Sequence, residues 1–207
     1  MSLIWTQASL EPKRKFRFLI TFSNFKDVQF LAQTADRPGL KVGATEHKYF
    51  DKTYFHPGRV TWEPNPLSIK LVDIQSKGAS KTDTNQSLLS IFAQSGLQYF
   101  ASETDYRSIG KSAAVNALGN VNVRVLSSLT SDTGDFVAPA DILKINSDGN
   151  ASGGLAEEWL LHNAWLESFK PDALDYGAED ILTVTITVRY DWAQFTSADG
   201  SIALETK

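Results

Sequence analysis

Four short stretches contain residue types that could do chemistry. Asp132-Thr133-Gly134 spells the triplet with which aspartic proteases place a carboxylate in a proton-sharing dyad. There an apolar strand delivers the Asp, whereas here Thr130 and Ser131 precede it in a polar run, so catalysis is not expected. Gly110-Lys111-Ser112 matches the end of a phosphate-cradling loop, but Asp105 stands where the earlier glycine is required. Asn146 to Glu158 has the acidic and glycine content of a calcium loop. One register puts Ala151 where glycine is needed, and the other puts Trp159 at the bidentate position, so neither completes the site. His47, His56 and His162 have no metal-ligand spacing, and with no cysteine, thiolate catalysis and Cys-rich zinc or iron–sulfur sites are excluded. No nucleophile–base–orienter set assembles, so an enzyme, a metal and a cofactor are not expected.

The elements that would have to position such residues are mostly strands. In 14–23, Phe16, Phe18, Ile20 and Phe22 alternate with Arg17, Leu19 and Thr21, the mark of a half-buried antiparallel strand. Val28–Thr34 reads as a second strand, joined to the first across Ser23–Asp27 as a hairpin, and Asp36-Arg37-Pro38-Gly39 as a turn. Leu67, Ile69 and Leu71 alternate in a further strand, as do Val121, Val123 and Val125; Trp159–Phe169 is strand-like. In 183–192, Val184, Ile186, Val188, Tyr190 and Trp192 face one way, and Thr183, Thr185, Thr187, Arg189 and Asp191 the other. Only 83–99 changes period: Leu88, Leu89, Phe92, Ala93 and Leu97 form one helical stripe that would lie on a sheet, with Asp83, Thr84 or Asn85 as N-cap. The expected class is mainly β, an antiparallel sandwich or barrel with one helix on the sheet.

Residues 40–66 form an aromatic and basic arm, a long hairpin. Tyr49, Phe50, Tyr54, Phe55, Arg59 and Trp62 are of types enriched at interface cores, so they are candidates for a subunit interface. A hairpin folded back on its own core is the alternative. Charge is uneven: residues 1–81 carry 13 Lys/Arg and 7 Asp/Glu, net +6, and residues 82–207 carry 7 and 17, net −10. Such a bipolar chain suits head-to-tail stacking, unless the two halves intermix at the surface. No signal peptide or membrane-length apolar segment is visible, so a soluble product made in a cytosol is expected.

Two stretches together resemble the tail tube proteins of contractile-tailed bacteriophages. One runs from Phe16 to Asp73, through Ala35-Asp36-Arg37-Pro38-Gly39, Val42-Gly43 and Gly58-Arg59-Val60-Thr61-Trp62. The other runs from Ala164-Trp165 through Leu174-Asp175-Tyr176 to Tyr190-Asp191-Trp192, and the 83–99 helix falls where that family places its own. The resemblance implies a single tail-tube domain over 1–207 with an insertion at about 100–154. It implies hexameric rings stacked into a tube, a structural virion part assembled in the host cytoplasm. Its partners would be other copies of itself, the sheath, tape-measure, baseplate and tail-terminator proteins, with DNA passing through the lumen without specific binding. Thr183, Thr185, Thr187, Arg189 and Asp191 would then be lumen-facing candidates, or else the alternate face of Arg17–Thr21. A neutral or acidic lumen is expected, which requires Arg17 and Arg189 to pair with carboxylates such as Asp191. The alternatives are a baseplate tube initiator, a type VI secretion or bacteriocin tube protein, and, further off, a ligand-binding β-sandwich using exposed aromatics.

Overall fold

The structure is a computed structural model and describes residues 13–24, 32–75, 83–96, 109–126, 155–177 and 179–197. In chain order its elements are β1 (Phe18–Phe22), β2 (Ala32–Ala35), β3 (Gly39–Tyr49), β4 (Lys52–Glu63), β5 (Leu67–Val72), α1 (Thr84–Gln94), α2 (Lys111–Leu118), β6 (Val121–Leu126), β7 (Leu155–His162), β8 (Trp165–Pro171), β9 (Thr183–Arg189) and β10 (Trp192–Ser197). Two four-stranded antiparallel sheets, ordered β1-β6-β7-β10 and β2-β5-β9-β8, enclose one core, and β3-β4 forms a separate two-stranded ribbon. The class is mainly β and antiparallel, as the alternating patterns require.

The core follows the alternation. Leu67, Ile69 and Leu71 of β5 and Val184, Ile186 and Val188 of β9 are fully buried, and Ile20, Val121 and Leu161 meet them from the other sheet. Three expectations need correction. The first strand starts at Phe18, because residues 14–17 form a turn closed by the Arg17 amide on the Arg14 carbonyl, and Phe16 is exposed. β1 pairs with β6 rather than with β2, placing Ile20 against Val123 and Phe22 against Val121. Turn-forming residues mark a chain reversal but do not decide the partner; the valine rows of β6 offer better cross-strand neighbours than the alanines of β2. Val28 and Phe30 lie outside the described residues. The second correction is a further helix, α2, whose Ala114, Ala117 and Leu118 bury a short stripe against α1 and β8. α1 itself ends at Gln94 with Gly96 at φ 101°, so the helix is shorter than 83–99; its N-cap is Asp83 and Ile91 joins Leu88 in the core. Phe92 leans on Phe169 of β8, with ring centroids 5.7 Å apart.

Third, 183–192 is not one strand. The chain leaves β9 after Arg189 and enters the opposite sheet at Trp192, while its neighbour crosses from β7 to β8 through Asn163 at φ 54°. The two crossings form one corner. The Asp191 amide donates to the His162 carbonyl at 3.1 Å, and the Asp191 carboxylate accepts Lys111 Nζ at 2.6 Å and Asn163 Nδ2 at 2.9 Å. Those hydrogen bonds, Lys111's first, and the Lys111 charge hold the Asp191 carboxyl below the usual carboxylate range against the opposing effect of burial. Tyr190, 2% exposed, donates its hydroxyl to the Pro64 carbonyl at 3.0 Å, and its own carbonyl accepts Asn65 Nδ2 at 2.9 Å.

Burial pushes the Tyr190 phenol up to about 12. A group whose folded value is raised contributes stability that is complete below the unfolded value of about 10 and is lost as pH rises towards 12. Tyr190→Phe is therefore expected to cost about 1 kcal/mol at pH 7 through the lost hydrogen bond and to flatten the alkaline decline. Urea unfolding at pH 7, 9, 10 and 11 checks both, and parallel declines for the two proteins would refute the second.

Candidate functional site

The ribbon β3-β4 is the feature that the rest of the fold does not use. Its strands pair from Gly39↔Glu63 to Tyr49↔Lys52 and reverse through Phe50 and Asp51, with Phe50 at φ 52°. At about 3.3 Å per residue it reaches roughly 35 Å. The register slips between Val42 and Ala44, where Gly58 and Arg59 face the single Gly43. A Cβ on Gly58 would lie 3.1 Å from the Gly43 carbonyl oxygen, so a larger residue would push the strands apart here.

Alternation from this register gives the ribbon two faces. One carries Leu40, Val42, Ala44, Phe55, Pro57 and Val60; Leu40 is 50% exposed, Val42 55%, Val60 58% and Phe55 65%. The other carries Thr45, Thr61, Tyr54 and the His47–His56 pair, with Lys41 and Glu63 bridged at 3.2 Å. The six sequence candidates therefore separate. Phe55 lies on the apolar face, and Tyr54 on the polar one. Tyr49 and Phe50 pack edge to face at the tip, with centroids 4.6 Å apart. Arg59 sits in the bulge. Trp62 is half-buried at the root, packed on the core and edge-on to Tyr190 at 6.5 Å, so it anchors the arm. Sequence reading missed Leu40, Val42 and Val60; pairing outward from the Phe50-Asp51 turn without a slip sets Val60 opposite Lys41, and only the bulge at Gly43 brings it onto the face of Leu40 and Val42.

The second surface is the outer face of the β2-β5-β9-β8 sheet. Its rows are Thr34, Lys70, Thr185 and Lys170, then Ser68, Thr187 and Ser168, then Arg189 beside Glu167. Arg189 gives Glu167 Oε1 two hydrogen bonds, at 2.7 and 3.1 Å, and Ser168 Oγ and Thr187 Oγ1 share one at 2.8 Å. Thr185, Thr187 and Arg189 thus stand on one face as expected. Thr183 does not line it openly: it is 3% exposed, hydrogen-bonded to Asp172. Asp191 has left the face for the corner, so the carboxylate that takes Arg189 is Glu167, not Asp191. The alternate face of Arg17–Thr21 is covered, with Leu19 7% and Thr21 8% exposed.

A third feature is a cleft of about 570 Å³ between residues 13–18, the 33–37 segment and β6. Lys13, Arg14, Lys15, Arg17 and Arg37 line it. Glu157, only 7% exposed, accepts Lys13 Nζ and Arg37 Nη1, each at 2.6 Å. Burial raises the Glu157 carboxyl, but the hydrogen bonds and charges of Lys13 and Arg37 together outweigh it and hold the group low. Glu158 beside it takes the buried Arg124 at 2.7 Å. Glu157 and Glu158 of the calcium-like stretch are therefore committed to cations on a strand, and residues 146–154, Asp148 among them, lie outside the described residues, as do Asp132-Thr133-Gly134. Lys111 of the abandoned phosphate motif is the corner cation. Among the described residues no group of three or more His, Asp or Glu could hold a metal, and no helix is long and apolar enough to cross a membrane.

No family model matches the chain, and no curated protein matches it in sequence. Solved structures do match in fold. A chain in the six-fold symmetrised baseplate of the anti-feeding prophage aligns with a TM-score of 0.55 at 14% identity, over 91% of this chain and 97% of that one. A chain in the extended sheath–tube complex of the PVC extracellular contractile injection system gives 0.55 at 13%, over 96% and 100%. A chain in the tube-terminating cap of the anti-feeding prophage gives 0.53 at 13%, over 96% and 100%. The chain shares the fold of proteins found in contractile injection assemblies.

Glu157→Gln is expected to destabilise the protein by about 1–3 kcal/mol at neutral pH, since two cations lose a buried partner. A carboxyl with a lowered folded value contributes stability above its unfolded value and loses it as pH falls through the folded one. The gap between variant and parent should therefore close in acid. Chemical denaturation at pH 7 and pH 3 measures this, and an unchanged gap would contradict it.

Proposed function

We propose that this chain is a structural subunit of the tube in a contractile, phage-tail-like particle, where copies form hexameric rings that stack into a conduit. The observation that carries the reading is the arm: a long ribbon with an apolar face from Leu40 to Phe55, giving way to Glu46 and Lys48 towards the tip, whose Leu40, Val42, Phe55 and Val60 its own chain leaves half or more exposed. Monomeric proteins rarely leave such a patch uncovered, and a repeating assembly of identical copies supplies the cover. The fold shared with chains of a sheath–tube complex, a baseplate and a tube cap supports the same conclusion. Sheath, baseplate and terminator proteins are then the expected neighbours, and the chain's role is architectural, not enzymatic.

The outer face of β2-β5-β9-β8 fits the lumen. It is rich in small hydroxyls, and its cations Lys70, Lys170 and Arg189 are matched in number by Asp36, Glu167 and Asp172. A balanced polar wall lets a polyanion slide, because each unmatched cation adds a salt-dependent phosphate contact. In a phage tail, assembled around a tape-measure protein and traversed by DNA, such a wall would meet this requirement.

The test is assembly of the purified protein. Replacing residues 46–55 by Asn-Gly closes the hairpin on the Thr45–His56 pair and removes the tip. The expected outcome is a monomer whose melting temperature is within a few degrees of the parent's and which no longer forms the tubes that the parent forms by negative-stain microscopy. Normal tubes from the shortened chain would overturn the role of the arm. A parent that stays monomeric at high concentration would overturn the tube.

A further inference from the structure

The arm and the β8–β9 connection leave the β2-β5-β9-β8 sheet at opposite ends. β4 hands over to β5 through residues 64–66, and Leu67 begins the row that Val188 and Leu166 complete. Pro171 shares the far row with Val184, Leu71 and Ala32, and the connection departs beyond it. There the Asp172 amide donates to the Thr183 carbonyl and the Asp73 amide to the Leu182 carbonyl, at 3.0 and 2.9 Å. The six residues of β5 put about 20 Å of sheet between the two departures. At the far end the described parts of the connection, 172–177 and 179–182, frame a groove of about 580 Å³. Its apolar walls are Leu174, Tyr176, Ile181 and Leu182; Leu174 is 83% exposed, Ile181 73%, and Tyr176 fully. At the other end the arm stands clear of its own chain and presents Tyr49 and Phe50 at its tip, 60% and 87% exposed. One copy thus carries an uncovered aromatic tip at one end of its sheet and an uncovered apolar groove at the other.

We propose that the Tyr49–Phe50 tip of one copy seats in the Leu174–Tyr176–Ile181–Leu182 groove of a copy in the next ring, so that this contact joins ring to ring. The inference rests on the tube reading. Strands in a closed wall tilt by about 35–45° from its axis, so the two ends of this sheet face the rings above and below. The arm end of one copy then meets the groove end of the next, a head-to-tail contact that repeats along the axis without closing. Tip against tip, or groove against groove, would be a symmetric contact that closes a pair and ends the stack. Charge does not oppose the seating: Lys48 and Lys52 balance Glu46 and Asp51 at the tip, so the groove's Asp172, Asp175 and Asp180 meet no excess of like sign. Apolar burial carries the contact. Two aromatic side chains cover about 150–250 Å² each. That is far below the roughly 1,000 Å² a free pair of proteins needs, so one contact does not dimerise the protein. Copies already held in a ring make the contact together, and the joint attachment is strong where each member is weak.

The chain has no cysteine, so introduced pairs report the contact directly. Three full-length double variants combine Phe50→Cys with Leu174→Cys, Tyr176→Cys or Ile181→Cys, all at exposed positions. A disulfide requires Cα atoms within about 7 Å, so only a seated tip can link. Under mild oxidation, tubes of at least one double variant should give a ladder of linked chains that runs beyond six on a non-reducing gel. Each single-cysteine variant should give nothing above a dimer. A groove variant, Leu174→Ser with Ile181→Ser, should need at least about tenfold more protein than the parent to form tubes by sedimentation and negative-stain microscopy, with thermal melts verifying the fold. Tubes in which no pair links, or a groove variant that assembles like the parent, would overturn the groove as the seat of the tip. A ladder that stops at six would place the contact within one ring and overturn the axial joint. These outcomes leave the tube reading standing, whereas a parent that never assembles would remove both.

Discussion

The corner at Asn163 and Tyr190–Asp191 is the constraint on which the other features depend. Two neighbouring segments change sheets there together, so the sheets cannot slide or separate without breaking it. Lys111 draws α2 into the corner through Asp191, and Pro64 and Asn65 bring in the root of the arm through Tyr190. Trp62, packed edge-on to Tyr190, adds an apolar contact at the same root. Arm, helix and both sheets therefore meet around two consecutive residues. A ribbon of roughly 35 Å can carry positional information to a neighbour only if its base is held in this way, since a small rotation at the root becomes a displacement of many ångströms at the tip.

Much of this was legible in the sequence, and what was not has physical causes. Alternation located β5, β6 and β9 correctly, because each has one face in the core and the period of two is then enforced residue by residue. The same alternation ran on through Tyr190 to Trp192 and hid the corner; past it the parity changes, for Ala193 enters the core opposite Leu161 while Trp192, expected on the inward face, stacks on His162 instead. Partner choice was also invisible. The Ser23–Asp27 loop suggested a hairpin, yet β1 found its partner about a hundred residues later, and local composition carries no record of such a distance. α2 was missed because its buried stripe is Ala114, Ala117 and Leu118, small residues whose hydrophobic signal is weak. Gly110 and Gly119 flanking an alanine-rich octet were the available clue.

The candidate surfaces show the same division. The residue types on the arm were readable, and they pointed to an interface. Their sorting into faces was not, because a bulge at Gly43 and Gly58–Arg59 shifts one strand against the other. Ignoring that shift exchanges Phe55 with its neighbours and scatters the apolar stripe. The expected pairing of Arg189 with a carboxylate holds, but through Glu167 in a bulge of β8, not through Asp191 two residues along. Spacing of two in one strand suggests proximity, whereas the neighbouring strand supplied the better geometry.

The energetics of the arm connect folding to assembly. A two-stranded ribbon standing alone in water is marginally stable, since neither face is covered and each residue ordered costs about 1–2 kcal/mol of backbone entropy. Here the cross-strand ladder, the Lys41–Glu63 bridge and the Trp62 anchor offset part of that cost. The rest must come from burying Leu40, Val42, Phe55 and Val60, at about 25 cal/mol for each Å² of apolar surface covered. The tip between these residues and solvent carries Glu46, Lys48, Asp51 and Lys52, which keep an uncovered arm from adhering indiscriminately. The consequence is a thermodynamic link: whatever covers the apolar face also completes the order of the ribbon. An arm rigid enough to be a strong hook in isolation would need a larger root and would gain less on docking. One that is only marginally ordered until covered makes assembly the step at which its structure is fixed.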